Sequence, residues 1–209
     1  MYKLYWAQET GAMAPQILLE EVGADYERVV LDLGKGEEQE AEFLSINPRG
    51  QIPALELPDG TILTESAAIV LQIADNHPDS GLLPPPGSTE RARVYRWLFY
   101  AVANIYESDL RLYYSERFTT EANCADSIKC KASEDMDSAF ELLEKELGDG
   151  PYLLGEQYSV IDPYLLMLVY WHEQPQVLLA RCPKLKQLCE TVRQRPAVER
   201  IWSQHYPAE

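Results

Sequence analysis

The chain has 209 residues, 46% hydrophobic and 25% charged, and its 18 Lys and Arg stand against 34 Asp and Glu, a formal net charge of −16. A chain of this length removes roughly 70% of its unfolded surface from water, enough for one large core or two small ones. The negative balance argues against a nucleic-acid partner or an anionic membrane surface, because both need a field of the opposite sign. The longest apolar stretches, such as Ile161–Trp171, are too short to span a bilayer and contain Asp162 and Pro163. Met1–Trp6 has no apolar signal core, and the charge of Glu9 comes too early to leave room for one. Cys124, Cys130, Cys182 and Cys189 form no CxxC pair and do not cluster with His77, His172 or His205. The expectation is a cytoplasmic protein with reduced thiols and no metal.

In chain order, Lys3-Leu4-Tyr5-Trp6 is a predicted strand, and Met13 to Gly23 a helix with apolar Ile17, Leu18, Leu19 and Val22 and a glycine stop. Tyr26 to Leu31 reads as a second strand, and the charged segment Gly34 to Ala41 as a loop or irregular helix. Ala54–Leu57 and Thr61–Leu63 flank the turn Pro58-Asp59-Gly60 and predict a hairpin, with a helix over Ser66 to Asp75 after it. The order β-α-β-α-β-β-α is that of an α/β domain over residues 1–80, with a proline-rich linker over 81–88. From 89 to 209 the pattern is all-helical. Ser88 or Thr89 caps a long helix through Ile105, a second runs from Ala125 to Leu147, and a third starts at Ser159-Val160-Ile161-Asp162. Two shorter helices open near Pro183 and Pro196. Tyr152-Leu153-Leu154 is the one strand candidate after the linker.

The chemistry concentrates in Asn47-Pro48-Arg49-Gly50-Gln51-Ile52-Pro53-Ala54-Leu55 and in Thr64-Glu65-Ser66-Ala67-Ala68-Ile69. A cis bond before Pro53 would turn the N–H and C=O of Ile52 outward, toward an extended peptide. Ser66 opens a helix, where free N–H groups favour a carboxylate, and Glu65 offers a negative charge to an ammonium. Together they suit the α-amino-acid end of a ligand. Taken singly, each feature is more simply a tight turn or a helix cap.

At this spacing the two motifs resemble the glutathione-binding half of the cytosolic glutathione transferases, and the likeness covers nearly the whole chain. Tyr152 to Asp162 is similar to the capping box of that family's helical domain, and among subclasses the sequence looks most like the bacterial beta class. The resemblance implies a thioredoxin-like N-terminal domain and an all-α C-terminal one, with glutathione as cosubstrate, small electrophiles as substrates and a homodimeric assembly. It implies that Glu65 and Ser66 hold the γ-glutamyl end, that the main chain of Ile52 before Pro53 pairs with the cysteinyl residue, and that Lys35 or Gln51 reaches the glycyl carboxylate. The electrophile is expected between the domains, against Asn104, Tyr106 and Tyr113; each of these is equally readable as a packed side chain.

The departure lies in the loop after the first strand, Ala7-Gln8-Glu9-Thr10-Gly11-Ala12, where the beta-class cysteine falls on Gly11. Thr10 is the nearest hydroxyl and the candidate catalytic residue, with Tyr5 as the alternative; Thr10 is equally readable as a helix cap. A thiol with a pKa near 8.5 is only about 3% ionised at pH 7, and lowering it by two pKa units requires about 2.7 kcal/mol. One hydrogen bond to a charged group supplies roughly 1.5–3 kcal/mol, and a helix N-terminus about 0.3–1. The expectation is modest conjugating activity. The alternatives are glutathione binding without catalysis and a glutathione-dependent peroxidase.

Overall fold

The structure, a computed structural model, describes residues 1–206 apart from the side chain of Ala122. Contacts divide the chain into two compact units: Met1–Leu83 together with the stretch from Arg193 onward, and Pro84–Val192. The sequence pattern alone runs the helical domain on to residue 209. The difference arises because the last helix packs on the first unit.

The first unit carries a four-stranded sheet in the order β2-β1-β3-β4. β1 (Tyr2–Trp6) pairs in parallel with β2 (Tyr26–Val30) and antiparallel with β3 (Ala54–Glu56), which pairs antiparallel with β4 (Ile62–Thr64). β1 alternates, with Tyr2, Leu4 and Trp6 buried, as a strand covered on one face must. In the turn before β4, Asp59 Oδ1 accepts the Thr61 N–H at 2.9 Å. α1 (Met13–Glu21) buries Ile17, Leu18 and Leu19 and stops at Gly23, whose φ of 65° is the left-handed conformation that glycine adopts without penalty. Two short 3₁₀ turns, Leu33–Lys35 and Glu37–Gln39, lead into α2 (Ala41–Ile46), which is the irregular helical stretch the charged segment suggested. α3 (Ser66–Asn76) buries Ile69, Val70 and Ile73.

In the second unit, Ser88 Oγ accepts the Arg91 N–H at 3.1 Å and so caps α4 (Thr89–Tyr100). The helix does not run evenly on: Ala101–Tyr106 forms a wider π turn before α5 (Glu107–Tyr113). α6 is Ala125–Glu146 and α7 is Ile161–Trp171. Asp162, fully buried, accepts the Ser159 N–H (2.7 Å), the Ser159 hydroxyl (3.0 Å) and the Leu153 N–H (2.8 Å), so the carboxylate half of the predicted capping box is present and ties down the loop before it, while α7 itself starts after Val160 with no side-chain cap bond. Tyr152–Leu154 is not a strand: among the described residues its β pairing is limited to the isolated bridges Tyr152 to Gly155 and Leu154 to Gln157. α8 (Pro175–Arg181) is an element the sequence pattern does not announce, and α9 is Pro183–Arg193.

α10 (Pro196–His205) returns to the first unit, and Arg195 holds Glu21 of α1 through two bonds of 2.6 and 2.8 Å. No helix among the described residues is long and apolar enough to cross a membrane.

Candidate functional site

Strand register brings the sequence motifs together. Tyr5 stands opposite Val29 in β2 and Ala54 in β3, and Ala54 stands opposite Thr64 in β4. One row across the sheet is therefore Val29, Tyr5, Ala54, Thr64. Just beyond it lie the loop from Ala7 to Ala12, the Ile52–Pro53 bond, the Glu65–Ser66 pair and the Asp32–Lys35 turn. Segments separated by dozens of residues meet at one end of the sheet because β1, β2 and β4 finish there and β3 begins there.

The Ile52–Pro53 bond is cis, as expected. The turn before it is held by Asn47, whose Nδ2 donates to the Gln51 carbonyl at 2.6 Å while its Oδ1 accepts the Arg49 N–H at 3.1 Å. Gly50 has a φ of 58°, and a Cβ there would stand 2.9 Å from the Glu38 carbonyl and closer still to the Gln39 amide. Only glycine meets both conditions. Gln39 Nε2 in turn donates to the Gly50 carbonyl at 3.1 Å, and Gln51 Oε1 accepts from Arg49 Nε at 2.9 Å.

Glu65 is exposed and sits at a φ of 66° with a ψ of 108°, an unfavourable conformation for a side-chain-bearing residue; such strain costs about 1–3 kcal/mol. Its carbonyl accepts the first helical bond, from the Ile69 N–H at 3.0 Å, and Ser66, buried, is the first residue of α3. The carboxylate thus stands beside a helix N-terminus whose first N–H groups lack partners within the helix.

Lys35 Nζ lies 2.9 Å from Asp32 Oδ2. The hydrogen bond between them, with their charge attraction next, raises the Lys35 pKa; the same hydrogen bond heads the causes that lower that of Asp32. Both are exposed, so the pair adds little to stability.

In the loop after β1, Thr10 Oγ1 donates to the Ala7 carbonyl at 2.7 Å and receives the Ala12 N–H at a long 3.4 Å. α1 begins at Met13 with no side-chain cap, so Thr10 precedes the helix instead of capping it. Among the described residues nothing accepts the Gly11 N–H. Tyr5 packs its ring on Phe43, with centroids 5.6 Å apart, in a cluster with Leu31 and Ala54; burial, with the charge of Glu56 next, raises its pKa. That is the signature of a packing residue.

The loop is further held by a residue to which the sequence motifs assign no role. The Glu9 N–H donates to His205 Nδ1 at 3.0 Å, and Gln8 Nε2 donates to the His205 carbonyl at 3.0 Å. Glu9 itself has a φ of 52°. On its other side the imidazole meets Gln16 Oε1 at 3.1 Å, which also accepts from Trp6 Nε1 at 2.7 Å. Burial, and next the charge of Arg28, pushes the His205 pKa down to about 4. No spacing in the sequence joins position 9 to position 205.

The three residues expected at the electrophile lie on one helical stretch of the second unit. Asn104 Nδ2 donates to the Tyr100 carbonyl at 3.1 Å, the Tyr106 ring packs on Trp171 at 5.2 Å, and the Tyr113 hydroxyl donates to the Trp171 carbonyl at 3.0 Å. Close by in sequence, Asp109 is buried, its Oδ1 has no partner among the described residues, and desolvation pushes its pKa up to about 7.

The chain resembles known proteins along almost its whole length. The family model described as glutathione S-transferase, N-terminal domain, matches residues 1–75, and that for the glutathione S-transferase C-terminal domain matches residues 108–202. A beta-class glutathione S-transferase structure from Sphingomonas chungbukensis is 33% identical, covers 97% of this chain and 98% of its own, and superposes with a TM-score of 0.83. The chain belongs to the glutathione S-transferase family. A Sulfitobacter glutathione transferase homologue with bound glutathione is 28% identical, with a TM-score of 0.91 over 98% of both chains. Among curated relatives, the disulfide-bond oxidoreductase YfcG of Escherichia coli strain K12 is 31% identical across 94% of this chain and 92% of its own. Within the family, the unit carrying the mixed sheet is the thioredoxin-like half and the second unit the helical half.

Proposed function

We propose that this glutathione S-transferase binds glutathione at the sheet end bounded by Ile52–Pro53 and Glu65–Ser66, and joins its thiolate to small electrophiles. The observation that carries this reading is the register Tyr5–Ala54–Thr64, which sets a peptide-pairing edge, a carboxylate and a helix N-terminus side by side. In this reading the γ-glutamyl ammonium meets Glu65, its carboxylate meets Ser66 and the first N–H groups of α3, and the cysteinyl residue pairs with the main chain of Ile52. The glycyl carboxylate takes Lys35, which must leave Asp32, or the amide end of Gln51. The electrophile is received by Asn104, Tyr106 and Tyr113. The protein acts as a cytoplasmic homodimer, the assembly typical of its family.

Thr10 and the Gly11 N–H activate the sulfur. In donating to a thiolate, Thr10 exchanges a neutral hydrogen bond to Ala7, about 0.5–1.5 kcal/mol, for a charge-assisted one of about 1.5–3. The net gain of about 1 kcal/mol, with a further few tenths from the helix end, lowers the thiol pKa by about one unit. Thr10→Val keeps the shape and removes the proton, so the pH–rate profile for conjugation should move up by about 0.7 of a pH unit, the helix-end contribution being left in place. An unchanged profile removes Thr10 from the mechanism. Glutathione binding without turnover of any electrophile would leave a binding protein.

The activity for which YfcG is named, disulfide-bond oxidoreduction, favours one rival, a glutathione-dependent reduction in place of conjugation, with peroxides as the alternative acceptor. Residues 7–12 contain no thiol, so here glutathione itself would have to be the reductant. Turnover of disulfide or hydroperoxide substrates, with none of aryl halides, would replace conjugation by that chemistry.

A further inference from the structure

In the loop that presents Thr10 and Gly11, the Glu9 N–H is tied to α10 through one imidazole. A backbone N–H can only donate, so the Glu9 bond requires that His205 Nδ1 carry no proton. The proton of the neutral ring is therefore on Nε2, where it is donated to Gln16 Oε1 at 3.1 Å. Gln16 is oriented in turn, because its Oε1 also accepts the Trp6 indole N–H and its Nε2 donates to Gln204 Oε1 at 2.9 Å. The 3.1 Å approach of Trp6 Nε1 to His205 Nε2 is then two donors sharing one acceptor, Gln16 Oε1. Arg28, over the Trp6 ring at 4.9 Å and bonded to Gln204 at 2.6 Å, is the charge facing this cluster. The Glu9 backbone adopts a left-handed conformation that side-chain-bearing residues avoid, so an external bond must hold it. The bonds from Glu9 and Gln8 to His205 are the ones that do.

We propose that His205 is a positioning residue for the sulfur-binding loop: its unprotonated Nδ1 fixes the Glu9 turn and so sets where the Thr10 hydroxyl and the Gly11 N–H point. The inference rests on the assignment of that loop to the glutathione sulfur. It gives the last helix a catalytic consequence, through a residue that touches no reacting atom.

Two polar variants separate the two faces of the ring. In His205→Asn the side-chain oxygen replaces Nδ1 and keeps the Glu9 bond; in His205→Gln the amide nitrogen replaces Nε2, keeps the Gln16 bond and loses that to Glu9. The measurements are the pKa of the bound glutathione thiol, from thiolate absorbance, the glutathione Kd, and the exchange rate of the Glu9 amide without ligand. The expectation is that His205→Gln raises the bound-thiol pKa, with conjugation at pH 6.5 falling up to about tenfold. Its Glu9 amide should exchange faster while the glutathione Kd stays within about twofold, because Glu65, Ser66 and Ile52 are untouched. His205→Asn should stay near wild type in all three. Equal behaviour of the two variants, or the reverse order, overturns the proposal. If the wild-type protein fails to bind glutathione or to lower its thiol pKa, the functional reading falls, and the Glu9 exchange rates still decide whether His205 holds the loop.

Discussion

At His205 the folded chain gives up a proton that the unfolded chain holds. Its pKa is about 4 in the fold against an ordinary 6.5, so its contribution to stability is complete above 6.5 and is lost as pH falls toward 4. The interval corresponds to roughly 3 kcal/mol. Asp109 has the opposite sign. Its pKa is raised to about 7 from 3.8, so stability is greatest below 3.8 and is lost as pH rises through 7, by roughly 4 kcal/mol at most. Asp109→Asn keeps the size and removes the titration. Its urea midpoint should exceed that of wild type at pH 7.5 and approach it at pH 4; an equal offset at both pH values would show that the carboxyl is not desolvated. Neither residue stands out in the sequence, because burial of an isolated His or Asp depends on which distant elements close over it.

Among the elements, the turn from Asn47 to Pro53 is the most constrained and also the most legible. Its Asn, Gly and Pro each meet a local backbone requirement, and such requirements are written in residue type. Gly50→Ala meets both a φ of 58° and the Glu38 carbonyl, so it should lower stability by about 1–3 kcal/mol. It should also raise the KM for glutathione, since Gln51 and Ile52 come directly after it; thermal melts and steady-state kinetics check the two effects. Normal stability and KM would mean that Gln39 moves aside without consequence. Local signals also identify the Ser88 cap and the pairing of Ser159 with the Asp162 carboxylate, though not the helix-capping half of that box. They fail where the outcome is set by tertiary packing. Nothing near Ala101–Tyr106 announces a π turn, Pro175 gives no cue amid Glu173-Gln174-Pro175-Gln176, and α10 reads like any amphipathic helix although it packs on α1 of the first unit. Lys35 is legible as a cation, but its ion pair with Asp32 is not, although a spacing of three residues in a turn permits it.

For the molecule as a whole, a formal charge of −16 opposes an anionic cosubstrate such as glutathione at long range, while the site acts at contact distance. Salt screens the first far more than the second, since the Debye length falls from about 30 Å at 0.01 M to about 8 Å at 0.15 M. The kcat/KM for glutathione should therefore rise over that range when an uncharged electrophile is saturating. A steady fall would mean that Lys35, Arg49 and Arg28 already dominate the approach field.

The two buried groups held neutral have a joint consequence. At pH 5.5 the folded protein keeps the Asp109 proton and leaves His205 bare, whereas the unfolded chain does the reverse. Unfolding is then, in effect, a proton transfer from a carboxyl in one unit to an imidazole in the other. Together these two sites exchange almost no net proton with solvent, so in mildly acidic buffer their opposite contributions to the pH dependence of unfolding cancel. Each group's influence emerges only when the other is removed.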